Sequence, residues 1–279
     1  MTRLRPLGTA AAVAAGAFAL VALLRREDRK PLRMPRQPRA RRQLDNIVLG
    51  AGSLLVAGAV QNYALAPLLA RDAGRFGAVR FLAPCLRPLA GFLTLDWAMY
   101  WWHRWTHVYA PLWRFHRVHH VDLDLDMSTA IRFHAVDQAI SAPMRMAMIV
   151  LLGPDARTHD VWNRFFFLSV LFHHANIRLP CRWERRLALF LTTPRMHGIH
   201  HMARRDATDS NWSSGISLWD RLHGSFRLDM RADAVRMGVA AYAHRLNVRQ
   251  SLYLPMADTR GDWDVGDSAL RSSASVSAR

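Results

Sequence analysis

Residues 101–120 read W-W-H-R-W-T-H-V-Y-A-P-L-W-R-F-H-R-V-H-H and hold five of the fourteen histidines in the chain. These five form two groups, H-R-W-T-H at 103–107 and H-R-V-H-H at 116–120, and a third group, H-G-I-H-H, occupies 197–201. Within each group the histidines lie three or four positions apart, so on a helix they share one face. The eight side chains are His103, His107, His116, His119, His120, His197, His200 and His201.

The three histidine groups predict a site for metal ions. A single histidine is usually a core or surface residue, but eight histidines in three groups follow the spacing of metal ligands. Structural zinc sites take four ligands, often with cysteine, whereas Cys85 and Cys181 both lie outside the three groups. Eight or more imidazoles suit two metal ions with open coordination positions, and iron, zinc and copper all accept imidazole.

Several apolar runs predict that the chain crosses a membrane. Leu7–Leu24 is about long enough to span a bilayer. Because Arg25 and Arg26 follow it, with no small-residue cleavage site, we expect an uncleaved anchor rather than a signal peptide. Ile47–Ala70 is a second predicted span, and Phe81–Trp102 is a weaker third one, since it carries charged residues and prolines.

The segment 25–42 joins the first two apolar runs. It carries nine basic residues, two acidic ones and three prolines, which predict an extended linker rather than a helix. A basic arm that binds nucleic acid is the alternative interpretation. We favour a cytoplasmic loop held at anionic lipid headgroups, because Arg-rich loops between spans stay in the cytoplasm. The formal net charge of +17 then mainly determines which loops stay on the cytoplasmic side of the membrane, and no nucleic-acid partner is expected.

Two shorter apolar runs, Gln138–Leu152 and Val161–Phe172, predict a helical hairpin that enters the membrane and turns near 153–154. Each run contains one arginine, Arg145 or Arg164. Beyond residue 180 the chain is too polar to span.

The order of these segments predicts one location for all three histidine groups. If the 25–42 linker is cytoplasmic, the second span leads out and the third leads back, so the groups lie at the cytoplasmic face. Cys85 and Cys181 then lie on opposite sides and form no disulfide. The histidines expected outside the site are His159 at the hairpin tip, His223 and His244.

A carboxylate precedes the first histidine group on the same predicted helical face. Asp96, Tyr100, His103 and His107 are spaced by four, three and four residues. A carboxylate inside a membrane is costly and indicates function. We expect Asp96 to accept the second ring N–H of a ligand histidine, and the alternative is a packing or water-binding role.

The order D-x-x-x-Y-W-x-H-R-x-x-H, H-x-x-H-H, H-x-x-H-H resembles the fatty acid hydroxylase/sterol desaturase superfamily of membrane di-iron proteins. Further segments that resemble it are S-T-A-I-R-F-H at 128–134, F-H-H-A-N at 172–176, T-P-R-M-H-G-I-H-H at 193–201, D-S-N-W at 209–212 and L-W-D-R-L-H-G-S-F at 218–226. The likeness covers about residues 45–228. It departs from the common pattern after His134, where A-V-D replaces Pro-x-Glu and leaves the role of Asp137 open.

The resemblance implies an all-α integral membrane helical domain with a cytoplasmic, histidine-rich helical cap. It implies two iron ions held by the three groups together with His134 and His174, with Asp96, Tyr100, His173 and Asn176 around them. O2 would be used to oxidise an aliphatic C–H bond of a lipid taken from the bilayer. No flavin or NAD fingerprint is present, so a separate electron donor is expected.

The expected organisation has three parts: an anchor and linker at 1–45, the catalytic domain at 46–228 and an extension at 229–279, disordered from about 258. The predicted function is O2-dependent lipid hydroxylation by an integral membrane protein, which would lie in the cell inner membrane if the protein is bacterial. Lipid or sterol desaturation by the same site, a non-catalytic metal-binding scaffold and a metal transporter are the alternatives. Intact histidine groups disfavour a scaffold, and ligands on one face disfavour a transporter.

Overall fold

The computed structural model describes residues 22–229 and 236–263, and every regular element within them is a helix. β-Structure in these ranges is limited to isolated bridges. The first seven helices are α1 (22–29), α2 (Arg39–Ala59), α3 (Ala66–Ala70, joined to α2 by the π-helical turn Val60–Leu65), α4 (Arg87–Val108), α5 (Ala110–His120), α6 (Ala135–Leu152) and α7 (Ala156–His174). Short helices follow: α8 (Cys181–Leu187), α9 (Pro194–His200), α10 (Arg205–Thr208), α11 (Leu218–Leu222) and α12 (Val248–Tyr253). The predicted all-α fold is confirmed.

Two described helical segments, Arg39–Ala70 and Ala135–Leu152, are long and apolar enough to cross a membrane. The first contains the predicted span 47–70. The second begins three residues earlier than the run predicted as a short hairpin arm, and this makes it long enough to cross. Helix α4 does not meet the same criterion, because aromatic residues and histidines replace aliphatic ones in its second half. Most of the predicted anchor 7–24 lies outside the described residues.

The predicted turn between α6 and α7 is present. Gly153 ends α6 in the left-handed conformation, with φ of +75°, which a residue without a Cβ adopts at no steric cost. Asp155 then caps α7, since its Oδ1 accepts the backbone N–H of Thr158 at 2.7 Å. The backbones of Gly74 and Gly77 lie against Gly153, where a Cβ on either residue would clash with main-chain atoms. This close approach fixes the far end of the α6–α7 hairpin.

The prediction of an extended linker over 25–42 is wrong at both ends. Residues 22–29 are helical, and α2 begins at Arg39, directly after the last of the three prolines. The prolines at 31, 35 and 38 confine the extended chain to the stretch between the two helices. Lipid headgroups do not account for the buried arginines of this segment. Arg33 donates to the carbonyl of Pro194 at 3.0 Å.

Arg42 is the centre of a buried ionic network that joins α2 to the loop after the second histidine group. It pairs with Asp122 at 2.7 Å and also with Asp126. Asn46, one turn further along α2, donates to Asp122 at 2.9 Å and accepts from Arg132 at 2.8 Å. Arg132 also donates to the carbonyl of Val118 at 3.0 Å. The network therefore holds α5, the helix of the second group, against α2.

The prediction of disorder from residue 258 is wrong for the described residues up to 263. Arg117 is fully buried on α5 and donates to Asp262 at 2.8 Å and to the carbonyl of Leu254 at 2.6 Å. The Trp113 indole N–H also donates to Asp262, at 2.8 Å, and its ring stacks on Trp263. A buried cation requires a carboxylate, and the C-terminal segment supplies it. Residues 264–279 lie outside the described part.

We expect Arg117→Met to destabilise the fold strongly. The substitution leaves the buried Asp262 carboxylate without its cation, and breaking a buried ion pair in this way costs about 3–5 kcal/mol. Arg164→Met is the matched control, because the Arg164 side chain is 75% exposed in its pair with Asp160. Thermal unfolding of both variants in mild detergent gives the comparison. Equal melting temperatures would show that the C-terminal segment does not stabilise α5.

Candidate metal centre

The ends of four helices bring ten histidines together. Helix α4 carries two of them near its C-terminus, and only Tyr109, in extended conformation, separates α4 from α5. This single-residue corner turns the second histidine group back towards the first. Helix α7 ends with two histidines, and α9 carries the third group. The ten residues are His103, His107, His116, His119, His120, His173, His174, His197, His200 and His201.

Eight of these imidazoles form two clusters of four, each able to hold a metal ion. Within a cluster, one ring nitrogen of every histidine lies within 4.8 Å of the others. We call the first cluster site A; it consists of His103, His107, His120 and His200. Site B consists of His119, His174, His197 and His201. The adjacent pairs 119–120 and 200–201 each divide between the two sites, which therefore share their backbone supports.

Backbone carbonyls fix the tautomer of several ring systems. A carbonyl oxygen can only accept, so the Nδ1 atom beside it carries the hydrogen and Nε2 carries the lone pair. In site A, Nδ1 of His103 donates to Trp212 at 2.7 Å, and Nδ1 of His200 donates to Ser210 at 2.8 Å. In site B, Nδ1 of His174 donates to the carbonyl of Val170 at 2.8 Å. The Nε2 atom of each of these histidines is thus available as a metal ligand. Metal-binding histidines usually donate their other ring N–H to a carbonyl or carboxylate in this way.

The Nε2 atoms of site B point at one another. Nε2 of His174 lies 3.1 Å from that of His119 and 3.0 Å from that of His197, which lies 3.1 Å from that of His201. Nδ1 of His119 donates to the Arg132 carbonyl at 3.3 Å, so the close His119 and His174 nitrogens both present lone pairs. Two lone pairs cannot hydrogen-bond to each other. Nitrogens bound side by side to one metal at about 2.1 Å lie about 3.0 Å apart.

Site A contains buried ring nitrogens that form no hydrogen bond with the described residues. Nε2 of His107, His120 and His200 is buried and lacks a hydrogen-bond partner among the described residues. The ring centroids of His107 lie 4.7 Å from those of both His120 and His200. Buried polar atoms are nearly always paired, so three orphaned nitrogens converging on one point fit a missing ligand better than a packed core. The residues of both sites therefore fit metal ions.

Burial keeps these imidazoles in the protonation state that metals require. It lowers the pKa of His119, His120, His197 and His201 well below the ordinary value, and the neighbouring imidazoles lower it further. Burial likewise lowers the pKa of His200 to about 3. The rings are therefore neutral at physiological pH, and a neutral imidazole is the form that binds a metal ion.

Two more histidines flank the sites. Nδ1 of His116 lies 3.4 Å from a carboxylate oxygen of Asp137, and its Nε2 is buried without a described partner. The His116 ring is 5.1 Å from that of His107. His173 packs on His197 of site B, with ring centroids 3.9 Å apart. Asp137, whose role the sequence left open, therefore faces a histidine.

The structure does not bring His134 to either site. Its Nδ1 accepts the backbone N–H of Val136 at 3.1 Å, which caps α6, and its ring packs against Phe115. The helix-capping contact turns the side chain away from the other histidines. His159, His223 and His244 also lie outside both sites.

Asp96 does not accept from a histidine, contrary to expectation. Its Oδ2 accepts the backbone N–H of Ile216 at 2.9 Å and the indole N–H of Trp219 at 2.8 Å. Carbonyl groups accept the Nδ1 hydrogens of His103 and His200 instead, and the Asp96 carboxylate holds the closing segment 209–226. Tyr100 has a similar role, since its hydroxyl lies 3.0 Å from that of Ser225. Asn176 pairs with the backbone of Arg33, at 2.9 and 2.8 Å.

The segment 209–226 contributes main-chain atoms that side-chain patterns cannot reveal. It supplies the carbonyls that orient His103 and His200. Asp220 holds this segment in place by accepting the backbone N–H groups of Trp212 at 2.9 Å and Ser213 at 3.2 Å. Burial raises the pKa of Asp220 to about 6 despite these hydrogen bonds. The signal available in the sequence was the resemblance of D-S-N-W and L-W-D-R to the closing segment of the family.

A cavity of about 440 Å³ opens on the histidines. Its wall includes residues of α2, α4, α6 and α7, two of which belong to the helical segments able to cross a membrane. Its wall includes His103 of site A and His119, His174 and His197 of site B. Much of the remaining lining is apolar, so the cavity suits a hydrocarbon chain.

Residues 88–225, which contain all three histidine groups, match the family described as fatty acid hydroxylase. The chain belongs to this family. The fatty acid hydroxylase segment begins with α4 and ends at the closing segment, so it coincides with the elements that build sites A and B.

Relatives with assigned names support this membership. Alkylglycerol monooxygenase of Homo sapiens is 29% identical over 140 residues, which are 50% of this chain and 30% of that protein. The Danio rerio protein of the same name is 32% identical over 48% of this chain and 29% of its own length. Ornithine lipid hydroxylase OlsE of Rhizobium tropici is 26% identical over 53% of this chain and 44% of its own. The chain thus spans less than half the length of each. No solved structure matches it.

We expect the protein to bind about two metal ions per chain, one at each site. His200→Ala should lower the affinity for metal by more than about tenfold, since loss of an outer-shell contact alone costs about 10–100-fold. Elemental analysis of protein purified in mild detergent measures this. His244→Ala, at an exposed position, is the control and should bind as the wild type does.

His134→Ala tests whether His134 is a metal ligand, as the family resemblance implies, or only a helix cap, as the structure indicates. Because His134 caps α6 outside both sites, its variant should retain both ions. Loss of one ion from His134→Ala would show that this histidine is a ligand.

Proposed function

We propose that the protein is a membrane-bound di-iron oxygenase that hydroxylates an aliphatic C–H bond of a lipid. The observation that carries this proposal is the pair of adjacent four-histidine sites beside a largely apolar cavity. The cavity is lined by His103 of site A and by three histidines of site B, which suits O2-dependent chemistry on a bound chain better than metal storage. The named relatives in the family are lipid hydroxylases, which favours hydroxylation over desaturation.

Iron is the metal we infer for both sites. Imidazole accepts iron, zinc and copper, so the ligands alone do not decide. Two bound irons would supply activation of O2 and oxidation of an unactivated C–H bond. The candidate ligands are the eight histidines of sites A and B, and His116 and His173 are placed to complete the coordination. Electrons are proposed to come from a separate donor protein.

The protein's own residues have three tasks in this reaction. Carbonyl groups hold the Nδ1 hydrogens of His103, His174 and His200, so their Nε2 atoms face the metal positions. Asp137 orients the Nδ1 hydrogen of His116 at the cavity wall. The aromatic lining, including Phe133, excludes water from the reacting carbon, which protects a reactive oxidant from side reactions.

A non-catalytic scaffold remains the alternative from another class. Conversion of lipid distinguishes it from an enzyme. We expect cells that express the wild type to accumulate a lipid with one added oxygen atom, and cells that express His200→Ala to lack it. Alkylglycerol and ornithine lipids, the substrates named for the relatives, are the first to supply. Mass spectrometry after growth in ¹⁸O₂ traces the atom. Absence of label in every lipid, with both irons bound, would refute the oxygenase proposal.

We further propose that sites A and B lie at the cytoplasmic face of an integral membrane protein. The N-terminus of α4 follows Cys85, and its C-terminus carries the first histidine group, so Cys85 lies near the opposite face. Cys181 begins α8, close in the chain to the third group. Both thiols are free and exposed.

Single-cysteine variants test this topology. A membrane-impermeant thiol reagent added to intact cells should label Cys85 and should reach Cys181 only after lysis. A double variant without either cysteine is the control for background. Labelling of Cys181 in intact cells would place the histidines on the outside.

A further inference from the structure

Arg145 is a partly buried cation without a carboxylate partner. It lies near the middle of α6, one of the two segments able to cross a membrane, and its side chain lines the cavity. In the described part of the chain, no acidic group forms an ion pair with it. An arginine at this depth is expensive unless it has a partner, and such residues usually mark a functional site. Fold stability alone gives no reason for its charge.

Gln61, just after α2, lines the same cavity and has an unpaired polar atom. Its Oε1 is buried and lacks a hydrogen-bond partner among the described residues. It lies in the π-helical turn Val60–Leu65, which interrupts the long α2–α3 segment. π-Turns in helices occur frequently at functional sites. Asn163 of α7 adds a third polar side chain to the cavity wall.

These polar groups lie at a distance from the metal sites along the cavity. Asp137, which contacts His116, and then Ser141 and Arg145 follow one another at intervals of four on α6, and all three line the cavity. Eight residues of helix correspond to about 12 Å. The wall in between includes Phe166 and Phe167 of α7. The cavity wall is thus mainly apolar but carries these polar groups, and Arg145 lies two helical turns from the residue that contacts His116.

We propose that Arg145 binds the carboxylate of an amphiphilic substrate whose alkyl chain extends to sites A and B. This assignment rests on the proposed function only in calling the bound molecule a substrate. A guanidinium offers a planar pair of donors that matches a carboxylate, and a buried pair of this kind is strong. Gln61 and Asn163 can donate further hydrogen bonds to the same group or to a neighbouring ester. Arg145 is therefore a residue that determines specificity and fixes which carbon reaches the metals.

Direct binding of two matched fluorescent probes tests this proposal. The probes are cis-parinaric acid and its methyl ester, which share the chain and differ in the charged group. They are titrated into the full-length protein in neutral detergent at a pH where the acid is ionised. The wild type should bind the acid at least about tenfold more tightly than the ester. Equal binding of the two probes, or binding of neither, would overturn the proposal.

Three variants assign the selectivity to Arg145. Arg145→Gln should lose the preference for the acid while it still binds the ester. Arg145→Lys keeps the charge without the planar donors, so part of the preference should remain. Arg164→Gln, on the neighbouring helix and exposed, should behave as the wild type. An unchanged preference in Arg145→Gln would contradict the assignment, and the wild-type ratio remains informative if that variant does not fold.

The same titration separates this site from the oxygenase proposal. His200 does not line the cavity, so His200→Ala should lose metal and retain the preference for the acid. Selective binding without oxidation of any lipid would refute the proposed function and leave the carboxylate site in place.

Discussion

The structure depends on the requirement that buried imidazole nitrogens be satisfied. Ten histidines converge in a region from which water is largely excluded. Burial lowers the pKa of His119 and His201 well below the ordinary value, so these rings offer lone pairs rather than positive charges. Carbonyl groups satisfy only some of the ring nitrogens, and the Nε2 atoms of His119 and His174 face each other as acceptors. A cation between them removes this conflict. Metal ions held at these candidate sites would thus be a part of the folded core rather than an addition to it.

The surrounding polypeptide is arranged to hold those nitrogens in place. Charged networks surround the histidine helices on several sides. Arg42 and its carboxylates bind α2 to the loop after the second group, and Arg117 binds the C-terminal segment to α5. Asp96 and Asp220 hold the closing segment, whose carbonyls orient His103 and His200. Each network joins parts distant in sequence. The boundaries expected at 45 and 228 remain a prediction, and contacts cross both.

The family resemblance implied the all-α fold, the apolar runs predicted the α6–α7 turn, and the order of the predicted spans indicated that the three histidine groups converge. The apolar runs and histidine groups are local patterns, because each depends on residues within a few turns of a helix. The partners of Asp96 and Asn176 could not be predicted, since they lie about a hundred or more residues away in the chain. His134 shows a different limit. Its motif is that of the family, but a helix-capping contact directs its side chain elsewhere. The order within 258–263 arises from one buried arginine, which composition does not reveal.

The division of each adjacent histidine pair between sites A and B has a consequence for metal loading. His119 and His120 share one peptide unit, as do His200 and His201, yet their rings belong to different sites. An ion that binds at one site orders the backbone that presents ligands to the other. The conformational entropy lost on ordering this backbone then opposes the binding of the first ion but not of the second. Loading is therefore expected to be positively cooperative, with few chains holding a single ion.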